Sequence, residues 1–379
     1  MSRSPEAPTA EVFAPGRVNL IGEHIDYHGL SVLPMALERG VRILFSPLDE
    51  PRVVLENADP SFAPVDFAMG PGVTRGPPGD WGNYVKAAAL VASERFGCRR
   101  GITGRVASDL PPAAGLSSSS ALVVATALAL LYSNDVPISF LELAEAAAKG
   151  EQFVGTAGGG MDQAASLLGR KGHAIRIGFS PLAARAVPIP RDWTVLVAHS
   201  GVEAAKSGGA QEAYNLRRAE STRGLAEVAE RLGIPDASPW ELLSTQPPDL
   251  LFETAAALEE PRAAWVRHVL AEARRVDEAE AALVAGDLEA FGHWVTASHR
   301  SLRDDYQVSH PRLDRLVEAA LDAGAAGARL TGAGFGGCML AVCDGASRGP
   351  AARALADELD PDSYTHLRAH ETALRISYA

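Results

Sequence analysis

Cysteine is scarce in this chain, which has three among 379 residues, and none of them forms a CxxC pair. Cys98, Cys338 and Cys343 therefore do not match the disulfide framework of a small secreted domain. The first ten residues, MSRSPEAPTA, also contain no apolar core of the kind found in signal peptides. Both absences favour a reducing, cytoplasmic location.

Long hydrophobic runs and basic clusters are absent as well. The longest strongly apolar stretch, Ala121 to Tyr132, has 12 residues, whereas a membrane-spanning helix needs roughly 20. Basic residues number 35 against 47 acidic ones, and the formal net charge is −12. Because phosphate backbones are bound by basic faces, we expect neither a nucleic-acid partner nor a membrane partner.

The length and the pattern of elements predict two α+β domains, since a chain of 379 residues is longer than a single hydrophobic core usually supports. Strands are predicted first and long helices later. The predicted strands are Val41 to Phe45, Arg52 to Leu55, Gly101 to Ser108 and Thr194 to Ser200. The predicted helices are Asp80 to Arg95, the stretch from Ala121, Ser139 to Gly150, Glu212 to Leu232, Glu253 to Arg300 with breaks near Pro261 and Gly286, and Pro311 to Gly324.

The segment 16–29, GRVNLIGEHIDYHG, has an unusual density of hydrogen-bonding side chains around a short apolar stub. A strand followed by a glycine turn delivers such groups to one place. Several fixed donors and acceptors can each meet one hydroxyl of a sugar. The pattern predicts a sugar-binding turn, and a solvated polar loop is the alternative.

The segment 109–122, DLPPAAGLSSSSAL, combines a loop, four consecutive serines and an apolar helix. Free N–H groups at a helix start favour an anion, and serine hydroxyls can bind phosphate oxygens or magnesium. It is not a Walker loop, because the chain contains no GxxxxGK[ST]. We predict a phosphate-binding loop, with an ordinary serine-rich helix cap as the alternative.

In a second glycine segment, EQFVGTAGGGMDQ at 151–163, three consecutive glycines come shortly before Asp162. Glycines let a backbone approach a ligand closely. A carboxylate at that turn can accept a hydroxyl proton during phosphoryl transfer, or it can simply cap the next helix. Glu151 can complete a magnesium site with a serine and nucleotide phosphates, or it can be a solvated helix carboxylate.

The third glycine segment, TGAGFGGC at 331–338, formally contains GxGxxG. A dinucleotide fingerprint belongs in the first strand-turn-helix unit of a parallel sheet. Here the glycines follow a helix late in the chain and enter MLAVC, a predicted strand. We therefore interpret this segment as a glycine-lined wall beside the phosphates or the sugar turn.

Together the three segments resemble the three motifs of the GHMP small-molecule kinase superfamily, and GRVNLIGEHIDYHG resembles the galactokinase signature in particular. The resemblance continues through WGNYVKA at 81–87 and through residues 298–314 and 329–338, so it covers nearly the whole chain. It implies a two-domain α+β GHMP kinase fold, with a ribosomal-protein-S5-like domain over residues 1–185 and a ferredoxin-like domain over residues 186–379. GTAGGGMDQ and the FSPL that follows also resemble the subgroup that includes N-acetylgalactosamine kinases.

The resemblance also implies roles for individual residues. Asp162 would be the catalytic carboxylate at the C1 hydroxyl, and Arg17 would stabilise charge near the reacting oxygen and keep Asp162 ionised. The residues implied for sugar binding are Glu23, His24, Asp26, Gly159 and Tyr214.

ATP and Mg²⁺ are the implied cofactors. The phosphates would be held by Ala114, Gly115, Leu116, Ser117, Ser118 and Ser119. Ser119 and Glu151 would be the magnesium ligands, although galactokinases often carry this acid one residue earlier, where this chain has Gly150. Trp81 would lie near the nucleotide base, and a core tryptophan at a helix start is the alternative.

The chain departs from the signature at several positions. Ile25, His28 and Leu30 stand where Thr, Asn and Gly are usual, while Ala113 and Ser120 replace a glycine and an alanine of the phosphate loop. The groups assigned to the sugar hydroxyls are unchanged. These departures leave the exact sugar open.

The implied activity is transfer of the ATP γ-phosphate to the C1 hydroxyl of α-D-galactose, giving galactose 1-phosphate and ADP. Alternatives are a kinase for a related sugar such as N-acetylgalactosamine, and a non-catalytic galactose and ATP sensor. We expect galactose and ATP as small-molecule partners and a monomeric protein.

Overall fold

A computed structural model describes residues 10–111, 114–155, 158–203 and 209–359, together with the strand residues 367–368 and 376–378. Ala113 lies outside the described residues, so its replacement of a loop glycine stays without a structural account. No helix in the described part of the chain is long and apolar enough to cross a membrane.

The first sheet has six strands in the order β12-β1-β2-β5-β3-β4. Its neighbours are antiparallel except β3 and β5, which are parallel. The strand bounds are β1 Ala10–Ile21, β2 Leu33–Leu48, β3 Arg52–Asn57, β4 Val65–Ala68, β5 Gly101–Ser108 and β12 Ile376–Tyr378. The helices that follow in this half are α1 Gly82–Arg95, α2 Ser118–Ser133, α3 Phe140–Gly150 and α4 Met161–Leu168.

The central helix of this half is α2, whose sequence SSSALVVATALALLYS is apolar on almost every side. A helix that is apolar all round is stable only when it is buried, and α2 packs against α1, β1 and β2. This burial fixes the helix start, and therefore the serine loop that precedes it, against the strand that carries the sugar turn.

The second half contains a hairpin, a four-stranded antiparallel sheet and a layer of helices. The sheet order is β11-β8-β10-β9. The strand bounds are β6 His173–Phe179 and β7 Leu182–Pro188 for the hairpin, and β8 Thr194–His199, β9 Gly327–Thr331, β10 Cys338–Cys343 and β11 Leu367–Arg368 for the sheet. The helices are α5 Gly209–Arg231, α6 Pro239–Thr245, α7 Pro248–Ala256, α8 Arg262–Ala285, α9 Leu288–Asp304, α10 Pro311–Asp322 and α11 Arg348–Glu358.

Most predicted elements are confirmed within a few residues, including the helix breaks near Pro261 and Gly286. The strand predicted at Val41 to Phe45 is too short, because β2 runs for 16 residues from Leu33 to Leu48. The prediction of a short strand before the sugar turn is wrong in length, because β1 runs for 12 residues and is buried almost throughout. Residues 376–378 return to the first sheet beside β1. The predicted domain boundary near residue 185 falls inside β7 and stays a prediction.

Candidate active site

The sugar turn begins where β1 ends. Gly22 has a φ of +104°, and a Cβ there would lie 3.0 Å from the Val32 Cα atom, so only glycine fits the turn. His24 also has a positive φ of 62°, which is uncommon for a residue with a side chain. A short 3-10 helix, Asp26–His28, completes the turn.

One cavity collects most of the residues that were predicted for the site. Its lining comes from the sugar turn, the serine loop, the start of α4, the first turns of α5 and the late glycine segment. The predicted residues that line it are Arg17, Glu23, His24, Asp26, Gly115, Ser117, Glu151, Gly159, Asp162 and Tyr214. The predicted residues outside its lining are Ala114, Leu116, Ser118, Ser119 and Trp81.

Arg17 and Asp162 form a partly buried ion pair in this cavity. The Arg17 Nη2 and Nε atoms lie 2.6 and 2.8 Å from Asp162 Oδ1. Arg17 Nη1 also donates to the Gly115 carbonyl at 2.7 Å. Burial opposes the charged guanidinium, but Asp162 and Glu23 outweigh it and raise the pKa of Arg17. Arg17 thus joins the serine loop to the carboxylate predicted to be catalytic.

Asp26 lies against the backbone of the glycine segment before α4. Its Oδ2 accepts the Gly159 N–H at 3.1 Å. A Cβ at Gly159 would lie 2.3 Å from the Asp26 carbonyl carbon, so the close approach requires glycine. Burial, with Asp162 and Glu23 nearby, raises the pKa of Asp26 to about 6.

Glu23 is buried and faces the strand and loop of the opposite domain. Its Oε1 accepts the Gly332 N–H at 2.6 Å and the Thr331 hydroxyl at 3.3 Å. The Arg329 Nη2 atom lies 3.4 Å away. Burial raises the pKa of Glu23, and the cations Arg329 and Arg17 counteract part of that rise.

His24 is neutral and its tautomer follows from its partners. Its Nε2 lies 3.2 Å from the Ala333 carbonyl, which only accepts, so Nε2 carries the hydrogen. Nδ1 then accepts from the Tyr27 hydroxyl at 2.9 Å, and Tyr27 accepts from Tyr306 at 2.9 Å. Burial lowers the pKa of His24 to about 3. A sugar hydroxyl therefore reaches a His24 nitrogen only by replacing one of these contacts.

The serine loop presents unpaired polar groups to the cavity. Ser117 adopts a left-handed φ of 61° and precedes α2. Its buried hydroxyl has no hydrogen-bond partner among the described residues. The first N–H groups of a helix also lack partners within the helix and attract anions. This end of the cavity can therefore take a phosphate.

The late glycine segment closes the cavity beside that loop. Gly332 has a φ of +86°, and a Cβ on it would lie 2.8 Å from the Gly115 carbonyl. The segment connects β9 to β10, which are antiparallel neighbours. This topology agrees with the interpretation as a glycine wall rather than a dinucleotide fingerprint.

Glu151 is 5% exposed and starts a 3-10 turn directly after α3. A side chain at position 150 would place its Cβ 2.4 Å from the Val91 Cγ2 atom. Glu151 lines the cavity, and its role as a magnesium ligand stays a prediction. Ser119, its predicted partner, is half-buried in the first turn of α2.

Trp81 precedes α1 and is buried among core residues. Its indole N–H donates to the Ala63 carbonyl at 2.8 Å. A buried tryptophan with a satisfied N–H is typical of a packing role. The contacts of Trp81 therefore fit the core alternative, and its place near a nucleotide base stays a prediction.

The three departures from the sugar signature lie behind the cavity rather than in its lining. Ile25 and Leu30 are buried core residues. The His28 Nε2 atom lies 3.0 Å from the Ser221 hydroxyl, and burial lowers the pKa of His28 to about 3. These side chains support the turn from outside the sugar space.

Sequence reasoning missed several residues of the site. Tyr27 was counted as a hydrogen-bonding group but received no role, and Tyr306 and Phe335 received none. Tyr27 and Phe335 line the cavity, while Tyr306 supports Tyr27 from α9's C-terminal side. A tyrosine inside the signature was the available signal, whereas nothing in the sequence linked it to a partner 279 positions away.

Comparisons with known protein families give three matches along the chain. The GHMP kinases N terminal domain matches residues 83–170, and the GHMP kinases C terminal domain matches residues 279–360. The galactokinase galactose-binding signature matches residues 3–47.

Individual relatives agree with these matches. A galactokinase from Roseiflexus sp. (strain RS-1) is 39% identical over 343 residues, which are 90% of this chain and 85% of the relative. The structure of Lactococcus lactis galactokinase complexed with galactose superposes with a TM-score of 0.85 at 29% identity, over 98% of this chain and 95% of that one.

More distant kinases share the fold. L. major mevalonate kinase in complex with R-mevalonate superposes with a TM-score of 0.65 at 19% identity, over all of both chains. The mixed α+β two-domain architecture predicted from the sequence is therefore confirmed. The chain belongs to the galactokinase family of the GHMP kinase superfamily, whose members use ATP.

Proposed function

We propose that this protein transfers the γ-phosphate of ATP to the C1 hydroxyl of α-D-galactose. The observation that carries the proposal is the position of Arg17, which pairs with Asp162 and also donates to the Gly115 carbonyl of the serine loop. Arg17, on the strand that leads into the sugar turn, therefore links the phosphate loop to the Asp162 carboxylate. That is the arrangement that phosphoryl transfer requires.

The reaction needs a hydroxyl positioned in line with the phosphate and a place for its proton. Glu23, Asp26 and Tyr214 would hold the sugar hydroxyls. Asp162 would orient the C1 hydroxyl and accept its proton as the oxygen attacks the γ-phosphorus. ADP would leave carrying the β-phosphate, and Arg17 would offset the charge that develops near the reacting oxygen.

The residues present suit a magnesium ion. The Ser117 hydroxyl, which is buried and has no hydrogen-bond partner among the described residues, lines the same cavity as Glu151. Mg²⁺ prefers one or two such oxygen ligands together with phosphates and water. Glu151 and a serine of the loop, Ser117 or the predicted Ser119, would hold the ion. When bound, it would neutralise charge on the ATP phosphates.

The test is a coupled ADP-release assay over a sugar panel, with the product identified by phosphorus NMR. We expect turnover with galactose and a product phosphorylated at C1. N-acetylgalactosamine and arabinose-type sugars in the same panel test the related substrates. No ADP release with galactose would refute the proposed substrate, and binding of galactose and ATP without turnover would identify a sensor.

A cytoplasmic location and a monomeric state are parts of the same proposal. The three cysteines are buried and free of disulfides, which agrees with a reducing compartment. Size-exclusion chromatography with light scattering measures the oligomeric state.

A further inference from the structure

The sugar turn is held from the opposite domain by a group of buried charged residues. The group consists of Arg329 on β9, Glu272 on α8 and Glu23 in the turn itself. Arg275 on α8 is half-buried and pairs with Glu272 at the edge of the group. Arg329 and Glu272 are fully buried, and Glu23 is 3% exposed. Burying a charge costs free energy unless a close partner balances it. The contacts of each residue therefore indicate its role.

Arg329 is fixed on three sides. Its Nε donates to the Leu330 carbonyl at 2.8 Å, and its Nη1 donates to the Leu20 carbonyl at 3.2 Å. Its Nη2 lies 3.4 Å from Glu23 Oε1. The guanidinium therefore connects the end of β1 to β9 and presents its remaining nitrogen to the sugar-turn carboxylate.

Glu272 depends much less on Arg329, whose Nη1 lies 3.8 Å away. Arg275 lies closer, at 2.9 Å. Glu272 Oε1 also accepts the Gly22 N–H at 3.0 Å and the Ser298 hydroxyl at 2.5 Å. Despite burial, Arg275 and the other partners lower the pKa of Glu272 to about 2. Loss of Arg329 would leave Glu272 with its main partners.

Glu23 has no comparable substitute for Arg329. The other nearby cation, Arg17, is already bound to Asp162 at 2.6 Å. Among the described residues, Glu23 also interacts with the Gly332 N–H, the Thr331 hydroxyl and the Asn19 side chain. These neutral donors orient the carboxylate but do not balance its charge.

We propose that Arg329 is a positioning residue that keeps Glu23 ionised and aimed at a galactose hydroxyl, so that a side chain outside the cavity sets sugar affinity. This inference rests on the proposed function, because it takes Glu23 as a sugar ligand. The interaction crosses from the second domain to the first, since β9 belongs to the second sheet.

The sign of the pH effect follows from the surroundings of Glu23. Without Arg329, burial would raise the pKa of Glu23 further, so the variant would carry a protonated Glu23 at pH values where the wild type is ionised. Sugar affinity would then recover as the pH rises. The charged and titratable groups around Glu23 are Arg17, His24, Asp26, His268, Glu272 and Arg329.

The test compares the Michaelis constants of Arg329→Met and Arg275→Met with those of the wild type, from pH 6 to 9. For Arg329→Met we expect the KM for galactose to rise about tenfold near pH 6.5. A rise of about one unit in the pKa of Glu23 would have this effect. The rise should shrink toward pH 9 while the KM for ATP stays within twofold. Arg275→Met, which leaves the Arg329–Glu23 pair intact, should keep the galactose KM within twofold.

Two further variants keep the inference falsifiable if Arg329→Met does not fold. Arg329→Lys retains the cation and should preserve the wild-type pH profile. Glu23→Gln, an uncharged isostere, should raise the galactose KM over the wild type by a similar factor from pH 6 to 9, because it has no carboxyl group to ionise. An unchanged galactose KM in Arg329→Met, an equal rise in Arg275→Met, or a shifted profile in Arg329→Lys would overturn the inference. A wild type without galactose turnover would instead refute the proposed function.

Discussion

The two ends of the cavity are built in opposite ways. At the sugar end, the polar side chains already have protein partners: Asp26 accepts from the Gly159 N–H, Glu23 from the Gly332 N–H, and His24 from the Tyr27 hydroxyl. At the phosphate end, the buried Ser117 hydroxyl has no partner within the described part of the chain. The sugar end is preorganised by protein contacts, whereas the phosphate end offers groups that an anion would satisfy.

This difference agrees with the chemistry of the two ligands. A neutral sugar offers only hydroxyls, so discrimination depends on donors and acceptors fixed before it arrives. Phosphates bring charge and many acceptor oxygens, so unpaired donors at a helix start are sufficient to attract them. Arg17 belongs to both ends, through Asp162 and the Gly115 carbonyl.

Among the variants that distinguish the two ends, the largest effect should come from moving the preorganised sugar end. A methyl on Gly159 would lie 2.4 Å from the Tyr27 backbone nitrogen. Gly159→Ala therefore has to displace the sugar turn, and we expect kcat/KM for galactose to fall about 100-fold. The control is Gly158→Ala, since nothing lies within 4 Å of its added methyl. Equal effects of the two variants would contradict a rigid sugar end.

The same end should respond to pH through Asp26. Because the raised pKa of Asp26 is about 6, this carboxyl is protonated below pH 6 and loses its role as an acceptor. We expect kcat/KM for galactose to fall about tenfold for each pH unit below 6. The pH dependence of this ratio reports the pKa values of groups in the free enzyme. Asp26→Asn should give a low activity without that slope. A wild-type profile that is flat down to pH 5 would be incompatible with this role.

A smaller effect, on the KM for ATP instead of the KM for galactose, should come from the phosphate end. Ser117→Gly removes the unpaired hydroxyl while tolerating the left-handed backbone. We expect the KM for ATP to rise about tenfold, the magnitude of one hydrogen bond to a charged group, with the galactose KM within twofold. Ser120→Ala is the matched control, because Ser120 faces Gln163 instead. A change in galactose KM alone would reverse the assignment of the two ends.

The smallest effect is expected from a signature departure. His28 contacts Ser221 behind the cavity, so His28→Asn should cost about 1 kcal/mol of unfolding free energy and change the galactose KM less than twofold. Thermal melting and steady-state kinetics measure the two quantities. A tenfold change in galactose KM would mean that position 28 governs sugar recognition after all.

The phosphate end was more accessible from sequence than the sugar end. Four serines beside an apolar stretch indicate a loop and a helix start locally, and α2 begins at Ser118, three residues before the predicted start at Ala121. Glu23 and Asp26 could be selected as polar groups in a turn. Their partners Arg329 and Gly159 lie far along the chain, and a single sequence contains no signal for such pairs. The sequence around Arg329 does not indicate that the fold buries this side chain beside Glu23.

Asp162 pairs with Arg17, the residue that contacts both ends of the cavity. The most direct measurement is turnover of Asp162→Asn alongside galactose binding by titration calorimetry. Removal of a general base predicts a loss in kcat of about 1,000-fold, with galactose affinity within threefold of the wild type and unchanged circular dichroism. Wild-type turnover in this variant would contradict the proposed role of the Arg17–Asp162 pair.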